Sequence, residues 1–206
     1  MSGKAFPGPE LLSIKEGEWT NLPNGRVLWV PNFIESLESV SVFDALYHDL
    51  TWREDKIMMF GKWVTIPRLQ AWYGEASYQY SNLKLDPLPW TVDLDALRIR
   101  CEAVAGSTFN SVLANLYRTG QDSNGWHSDN EPELGEQPVI ASLSFGATRR
   151  FSLKHRSTKQ KVIIDLPAGS LLVMAGELQR HWLHCVPKTA RYVEPRINLT
   201  FRQIYN

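Results

Sequence analysis

The sequence predicts an α+β fold in which a β-sandwich or jelly-roll core is backed by two helices. Three observations carry that expectation. Two segments in the first half have helical apolar spacing behind serine or threonine caps; seven short apolar or alternating runs fill the hundred residues after Gly106; and no internal repeat or low-complexity tract interrupts them.

Residues 1–26 carry scattered Pro and Gly with weak periodicity and read as a loosely ordered arm. The first helix is expected over Ser36–Leu50, where Val40, Phe43, Leu46, Tyr47 and Leu50 recur at helical spacing behind Ser36 or Ser39 as cap. A second runs over Val92–Ala105, with Leu94, Leu97, Cys101 and Val104 on one face, Thr91 as N-cap and Gly106 as the C-terminal stop. Between them, IMMFGKW and WYGEASYQYS are aromatic segments punctuated by Gly, read as hairpins or loops over the sheet. The strand candidates are SVLANLYR, PVIASLSFG, RRFSLKH, KVIIDL, GSLLVMAG, RHWLHCV and RINLTFRQI, a count that argues for a sandwich or jelly roll. The expected division is an arm over 1–26 and a single domain over 27–206, with helices and a lid over 27–110 and the jelly-roll core over 111–206.

Composition bounds the function. At 206 residues the chain is long enough to bury a full core, and 22 basic residues balance 22 acidic ones, so it lacks the bulk charge of a protein that coats nucleic acid. Any nucleic-acid contact must come from a local patch. No run of about 18 apolar residues occurs and the N-terminal MSGKAFPGPE has no apolar signal region, so a cytoplasmic protein is expected, or a nuclear one in a eukaryote. Cys101 and Cys185 make neither a disulfide framework nor a CxxC site and are read as reduced thiols.

The chemistry centres on NGWHSDNEPELG. In extended chain, residues i and i+2 project the same way, so His127 and Asp129 can converge on one point. A third ligand must come from elsewhere, with His155, His181 and His184 as candidates. His181 and His184 are three apart and would face opposite sides of a strand, so one of them alone should bind. Two imidazoles and a carboxylate on an octahedral ion leave three positions open, the arrangement of non-heme Fe(II) oxygenases.

The strand candidates add an anion pocket. RINLTFR places Arg196, Asn198, Thr200 and Arg202 on one face and Ile197, Leu199 and Phe201 on the other. Arginines on the inner face of a buried strand require an anionic partner, because an unpaired buried charge costs several kcal/mol. LANLY aligns Leu113, Asn115 and Tyr117 in the same way. Arginine forks, amides and a phenol beside a metal suit a small dicarboxylate held at both ends.

From about Phe60 to Ile204 these elements resemble the AlkB-type Fe(II)/2-oxoglutarate dioxygenases that repair alkylated bases. The resemblance rests on FGKW…PR…YG, NLY before HSDNE, SLSFGATRRF, GSLLVMAG…HWLHCVP and PRINLTFR, and is nearest the branch of the eukaryotic AlkB homologues two and three. It implies a double-stranded β-helix, one Fe(II) held by His127, Asp129 and His184, and the co-substrates 2-oxoglutarate and O2. His181 is left to packing. Arg196, with Asn198 and Tyr117, is implied for the distal carboxylate of 2-oxoglutarate, and Arg202 and Asn115 for the end that chelates iron.

On the substrate side it implies Glu131 at the exocyclic amino group of the damaged base, and Tyr78 and Tyr80 lining the base pocket opposite His127. Phe60, at the tip of a hairpin that continues through Lys62 and Trp63, is implied as a wedge in the base stack. Lys62, Arg68, Arg149, Arg150, Lys154 and Arg156 are the expected local positive patch. Asn130 stands where relatives often carry a second Asp, leaving base and strand preference open.

The implied activity is oxidative demethylation of 1-methyladenine- or 3-methylcytosine-type bases in DNA, or in RNA, with release of formaldehyde, by a monomer. The alternatives are a dioxygenase acting on a protein or small molecule, a silent damage-binding module, and a zinc hydrolase.

Overall fold

The computed structural model describes residues 10–205 apart from Phe60, Ala76, Ser77, Ser81, Asn82 and Asp86. In chain order the elements are β1 (Trp19–Leu22), β2 (Gly25–Val30), α1 (Ser36–Asp49), β3 (Lys56–Met59), β4 (Lys62–Thr65), β5 (Leu69–Gly74), β6 (Tyr78–Tyr80), β7 (Leu83–Leu85), α2 (Val92–Ala105), β8 (Ser111–Tyr117), β9 (Asn124–His127), β10 (Ile140–Gly146), β11 (Arg149–His155), β12 (Lys161–Leu166), β13 (Leu171–Ala175), α3 (Leu178–His181), β14 (Trp182–Val186) and β15 (Arg196–Arg202). A seven-stranded sheet runs β1-β2-β13-β10-β15-β8-β5 and faces a four-stranded sheet, β12-β11-β14-β9; β3-β4 and β6-β7 form separate hairpins. The two facing antiparallel sheets make the jelly roll.

All seven expected runs are strands. α2 forms as the sequence dictates: the Thr91 Oγ1 accepts the Leu94 N–H at 3.2 Å, and Gly106 ends the helix at φ 65°, a left-handed cap that costs glycine little. α1 also forms, but neither serine caps it. Glu35 is the N-cap, without a side-chain bond, while Ser36 is already helical and Ser39 is buried. Val40 is turned to solvent; the face packed on the sheet runs instead through Val42, Phe43 and Leu46.

The arm departs most from expectation. Glu10 and Leu12 bond Lys161, and residues 19–30 form an antiparallel ribbon whose β2 pairs with β13 at the centre of the fold. Its apolar alternation is short, yet Val27 and Leu28 are buried on opposite faces of the large sheet. The expected boundary at residue 27 therefore falls inside β2. β5 was likewise not foreseen: the aromatic run LQAWYG is an edge strand of the large sheet, paired to β8.

The core lies in two layers. α1 and α2 cover the outer face of the large sheet, where Leu46, Leu94, Leu97 and Cys101 meet Ala114, Leu143, Ile197 and Phe201. The second layer lies between the sheets, where Ile140, Leu172 and Met174 pack with Leu153, Val162, Ile164 and Trp182. The apolar face of RINLTFR thus goes to the helices and its polar face is committed to the space between the sheets.

Candidate active site

One end of the inter-sheet space is polar. It is lined by Arg68, Leu113, Asn115, Tyr117, His127, Asp129, Ser142, Phe151, Met174, His184, Arg196, Asn198, Thr200 and Arg202, with Asn124, Cys185 and Val186. Antiparallel register explains the grouping. On the large sheet Arg196 lies opposite Tyr117, Asn198 opposite Asn115 and Thr200 opposite Leu113. On the small sheet His184 lies opposite His127.

The ligand atoms of His127, Asp129 and His184 lie within 4.8 Å of one another. The His127 Nδ1 is 2.8 Å from the Gly125 carbonyl oxygen, which fixes it as the donor and leaves Nε2 with its lone pair. That Nε2 is 3.7 Å from Asp129 Oδ1 and receives the Asn124 amide at 3.1 Å. Asp129 is buried and its Oδ1 has no hydrogen-bond partner among the described residues. A bare, buried carboxylate oxygen beside an acceptor imidazole nitrogen fits a metal ion, the partner that the oxygen otherwise lacks.

The electrostatics agree with that fit. Burial acts to raise the Asp129 pKa, but Arg202, His184 and His127 outweigh it and hold the carboxyl well below its ordinary range. His184 is lowered to about 3, by burial first and then by His127, so its ring stays neutral and able to ligate. Phe151 stacks on the His184 ring at 5.4 Å and sets its plane. His181 sits elsewhere, at the end of α3, parallel to His155 at 6.0 Å and 3.8 Å from Glu177. It is a packing residue.

The anion pocket is also assembled. Arg196, 1 % exposed, donates from Nη2 to the Ser144 Oγ at 2.9 Å, while its Nε and Nη1 have no hydrogen-bond partner among the described residues. Burial pushes its pKa down to about 10, opposed by Tyr117, whose ring lies 5.2 Å from the guanidinium carbon. Two buried donors on a cation form a receptor for a carboxylate.

Asn198 lines the pocket, but its amide is engaged, donating to the Ser142 Oγ at 2.8 Å and accepting the Thr200 hydroxyl at 3.0 Å. Asn115 Oδ1 receives Arg68 Nε at 2.7 Å and Gln70 Nε2 at 3.2 Å. Those two donors fix Oδ1 as the acceptor, and the amide nitrogen lies 3.5 Å from the Leu113 carbonyl oxygen.

Two arginines of the expected surface patch are therefore reassigned. Arg68 is buried against Asn115, and Arg149 is buried, donating to the carbonyls of Thr119, Asp122 and Pro187. Both are strand-end arginines whose forks satisfy internal acceptors. Arg150 is exposed but paired to Asp165 at 3.0 Å. Lys62 and Trp63 lie on exposed β4. Phe60 lies outside the described residues, as do the side chains of Tyr78 and Tyr80, although β6 itself is described. The Glu131 Oε2 is shielded from solvent without a partner among the described residues.

Sequence reasoning missed Gln179. This buried side chain on α3 accepts the Asp129 backbone N–H at 3.1 Å and so braces the ligand loop from the opposite sheet connection. Ser142 and Ser144, which hold Asn198 and Arg196, are visible in sequence as the polar positions of SLSFG.

Comparison with known proteins extends the geometry. The profile of the 2OG-Fe(II) oxygenase superfamily matches residues 26–202. The chain is 43% identical to alpha-ketoglutarate-dependent dioxygenase alkB homolog 3 of Bos taurus over 97% of its own length and 74% of that protein's. It is 42% identical to DNA oxidative demethylase ALKBH2 of Homo sapiens over 72% of this chain and 61% of that one. A solved structure of OsALKBH1 superposes with a TM-score of 0.62 at 16% identity, covering 90% of this chain and 100% of that one, a likeness of fold.

Proposed function

The chain belongs to the 2OG-Fe(II) oxygenase superfamily, in its AlkB branch, and we propose that it is an oxidative demethylase of N-alkylated bases in DNA. The observation that carries this reading is the union, in one buried pocket, of the His127–Asp129–His184 cluster with the two free donors of Arg196. A zinc hydrolase has no use for a buried dicarboxylate receptor beside its metal.

Ferrous iron with 2-oxoglutarate and dioxygen supplies the oxidation of an N-methyl carbon, after which formaldehyde leaves and the base is restored. The residues of the chain do the positioning. His127, Asp129 and His184 hold the ion, with Arg202 fixing the rotation of the Asp129 carboxylate. Arg196 anchors the distal carboxylate of the co-substrate; Asn115, oriented by Arg68 and Gln70 and donating one amide hydrogen to the Leu113 carbonyl, offers the other to the proximal end. Asn198, occupied within the sheet, shapes the pocket and supports Thr200.

Glu131 supplies the acceptor for the exocyclic amino group, and its charge favours the cationic 1-methyladenine and 3-methylcytosine lesions. Tyr78 and Tyr80 with His127 are assigned to the base, and Phe60, Lys62 and Trp63 to the nucleic acid around it. No helix of the described residues is long and apolar enough to cross a membrane, and its substrate would place the protein in the nucleus or cytoplasm.

The test is a formaldehyde and succinate assay on oligonucleotides bearing 1-methyladenine or 3-methylcytosine. Both products should appear in equal amounts and only with Fe(II) and 2-oxoglutarate; succinate without base repair would move the reading to another substrate, and binding without either product would make the protein a silent damage reader.

A further inference from the structure

The strand alternation that sends His127 and His184 into the pocket sends their neighbours Trp126 and Leu183 to the outer face of the small sheet. Lys154, opposite Leu183 in register, joins them there. The three line a groove of about 320 Å³ that Arg156 and Lys159 rim and His155 floors. Among the described residues no carboxylate lines it. Trp126 is 49% exposed, a large aromatic surface left on β9, which is an edge strand.

The groove is tied to the active site. The Arg156 guanidinium donates to Ser128 Oγ at 2.9 Å, and Ser128 sits between the two candidate ligands of its loop. Lys159, with a left-handed φ of 63°, turns the β11-β12 connection so that its ammonium reaches back to the Arg156 carbonyl. His155 is held neutral at the base of that turn: its Nδ1 accepts the Thr158 N–H, and burial, then His181 and Lys159, lower its pKa.

We propose that this groove binds an unpaired nucleotide flanking the target base, its base stacked on Trp126 and Leu183 and its phosphates neutralised by Lys154, Arg156 and Lys159. An indole face with three cations and no acid complements a base and its phosphates, and a stacking platform requires a base that is not paired. The inference rests on the nucleic-acid reading above and adds to it a second contact site outside the catalytic pocket. Through Arg156 and Ser128, occupancy of the groove bears on the loop that carries His127 and Asp129.

The experiment measures binding by fluorescence anisotropy on the 206-residue chain without added metal, using an unmethylated single-stranded octanucleotide, the same octamer with abasic sites throughout, and its duplex form. Trp126→Ala should weaken the single strand about tenfold, in the range of base–aromatic stacking, and Trp126→Phe should recover most of it. The abasic strand should bind wild type and Trp126→Ala alike, and Lys154→Glu should weaken both strands.

Equal affinity of wild type and Trp126→Ala for the base-bearing strand overturns the groove, and so does an equal loss on the abasic strand. If the wild type demethylates a methylated oligonucleotide while Trp126→Ala binds it unchanged, the groove alone fails. If the wild type neither binds nor demethylates, the nucleic-acid reading fails with it.

Discussion

Arg202 Nη2 donates to Asp129 Oδ2 at 2.9 Å, and both side chains are buried. The pairing gives the two carboxylate oxygens different work. Oδ2 is held by the last strand of the fold, and Oδ1 is left facing His127 Nε2 at 3.7 Å. A carboxylate free to rotate would present either oxygen; this one presents a single edge. The metal site and the strand RINLTFR are therefore coupled through one ion pair.

That coupling separates two substitutions with the same effect on catalysis. Asp129→Ala and His127→Ala should each abolish formaldehyde release. Asp129→Ala should also cost about 3 kcal/mol of unfolding free energy in the metal-free chain, because it removes one partner of the buried ion pair with Arg202. His127 is partly exposed, so His127→Ala should cost less than about 1 kcal/mol. Urea unfolding of the two variants checks the difference.

Arg196 is the proposed receptor for the co-substrate. Arg196→Ala should raise the concentration of 2-oxoglutarate needed for half-maximal turnover by at least about 30-fold, consistent with loss of about 2 kcal/mol from a charged hydrogen-bond pair. Arg196→Lys should recover little, since one ammonium cannot reproduce the fork that bonds both Ser144 and a carboxylate. Succinate release as a function of 2-oxoglutarate is the measurement, and an unchanged requirement would remove the anion pocket.

Arg68 distinguishes an internal role from a surface one. Since its Nε bonds the Asn115 oxygen, Arg68→Lys should raise the 2-oxoglutarate requirement several-fold and leave the salt dependence of oligonucleotide binding as in wild type. A phosphate contact would do the reverse and reduce the salt slope.

His155 makes a pH prediction. Its folded pKa is lowered below the ordinary 6.5, by burial first, so the neutral ring is the form that folding selects. The unfolded chain then binds more protons than the folded one below about pH 6.5, and the contribution of His155 to stability, full above that pH, is lost as the pH falls. His155→Gln should flatten the fall in urea midpoint between pH 7 and pH 5. A slope identical to wild type would mean that the ring titrates freely in the folded chain.

The seven expected strands, the second helix with its Thr91 and Gly106 caps, and the two polar faces of RINLTFR and LANLY were legible because each depends on local periodicity. Alternation sends residues to one side of a sheet or the other whatever the neighbouring strand is. The metal triad was legible in part. His127 and Asp129 share a side by spacing, but spacing left His155, His181 and His184 as alternatives for the third ligand, and only the AlkB resemblance preferred His184.

What the tertiary structure decided was pairing. Register set His184 opposite His127 and left His181 to stack on His155. It drew β1 and β2, weak in sequence, into the large sheet beside β13, because a short strand gains its stability from the neighbour it pairs with rather than from its own pattern. It also turned Arg68 and Arg149 inward, where carbonyl and amide oxygens of distant segments satisfy their forks. A lone arginine in a sequence reads as surface charge; whether buried acceptors await it depends on contacts made by chain dozens of residues away.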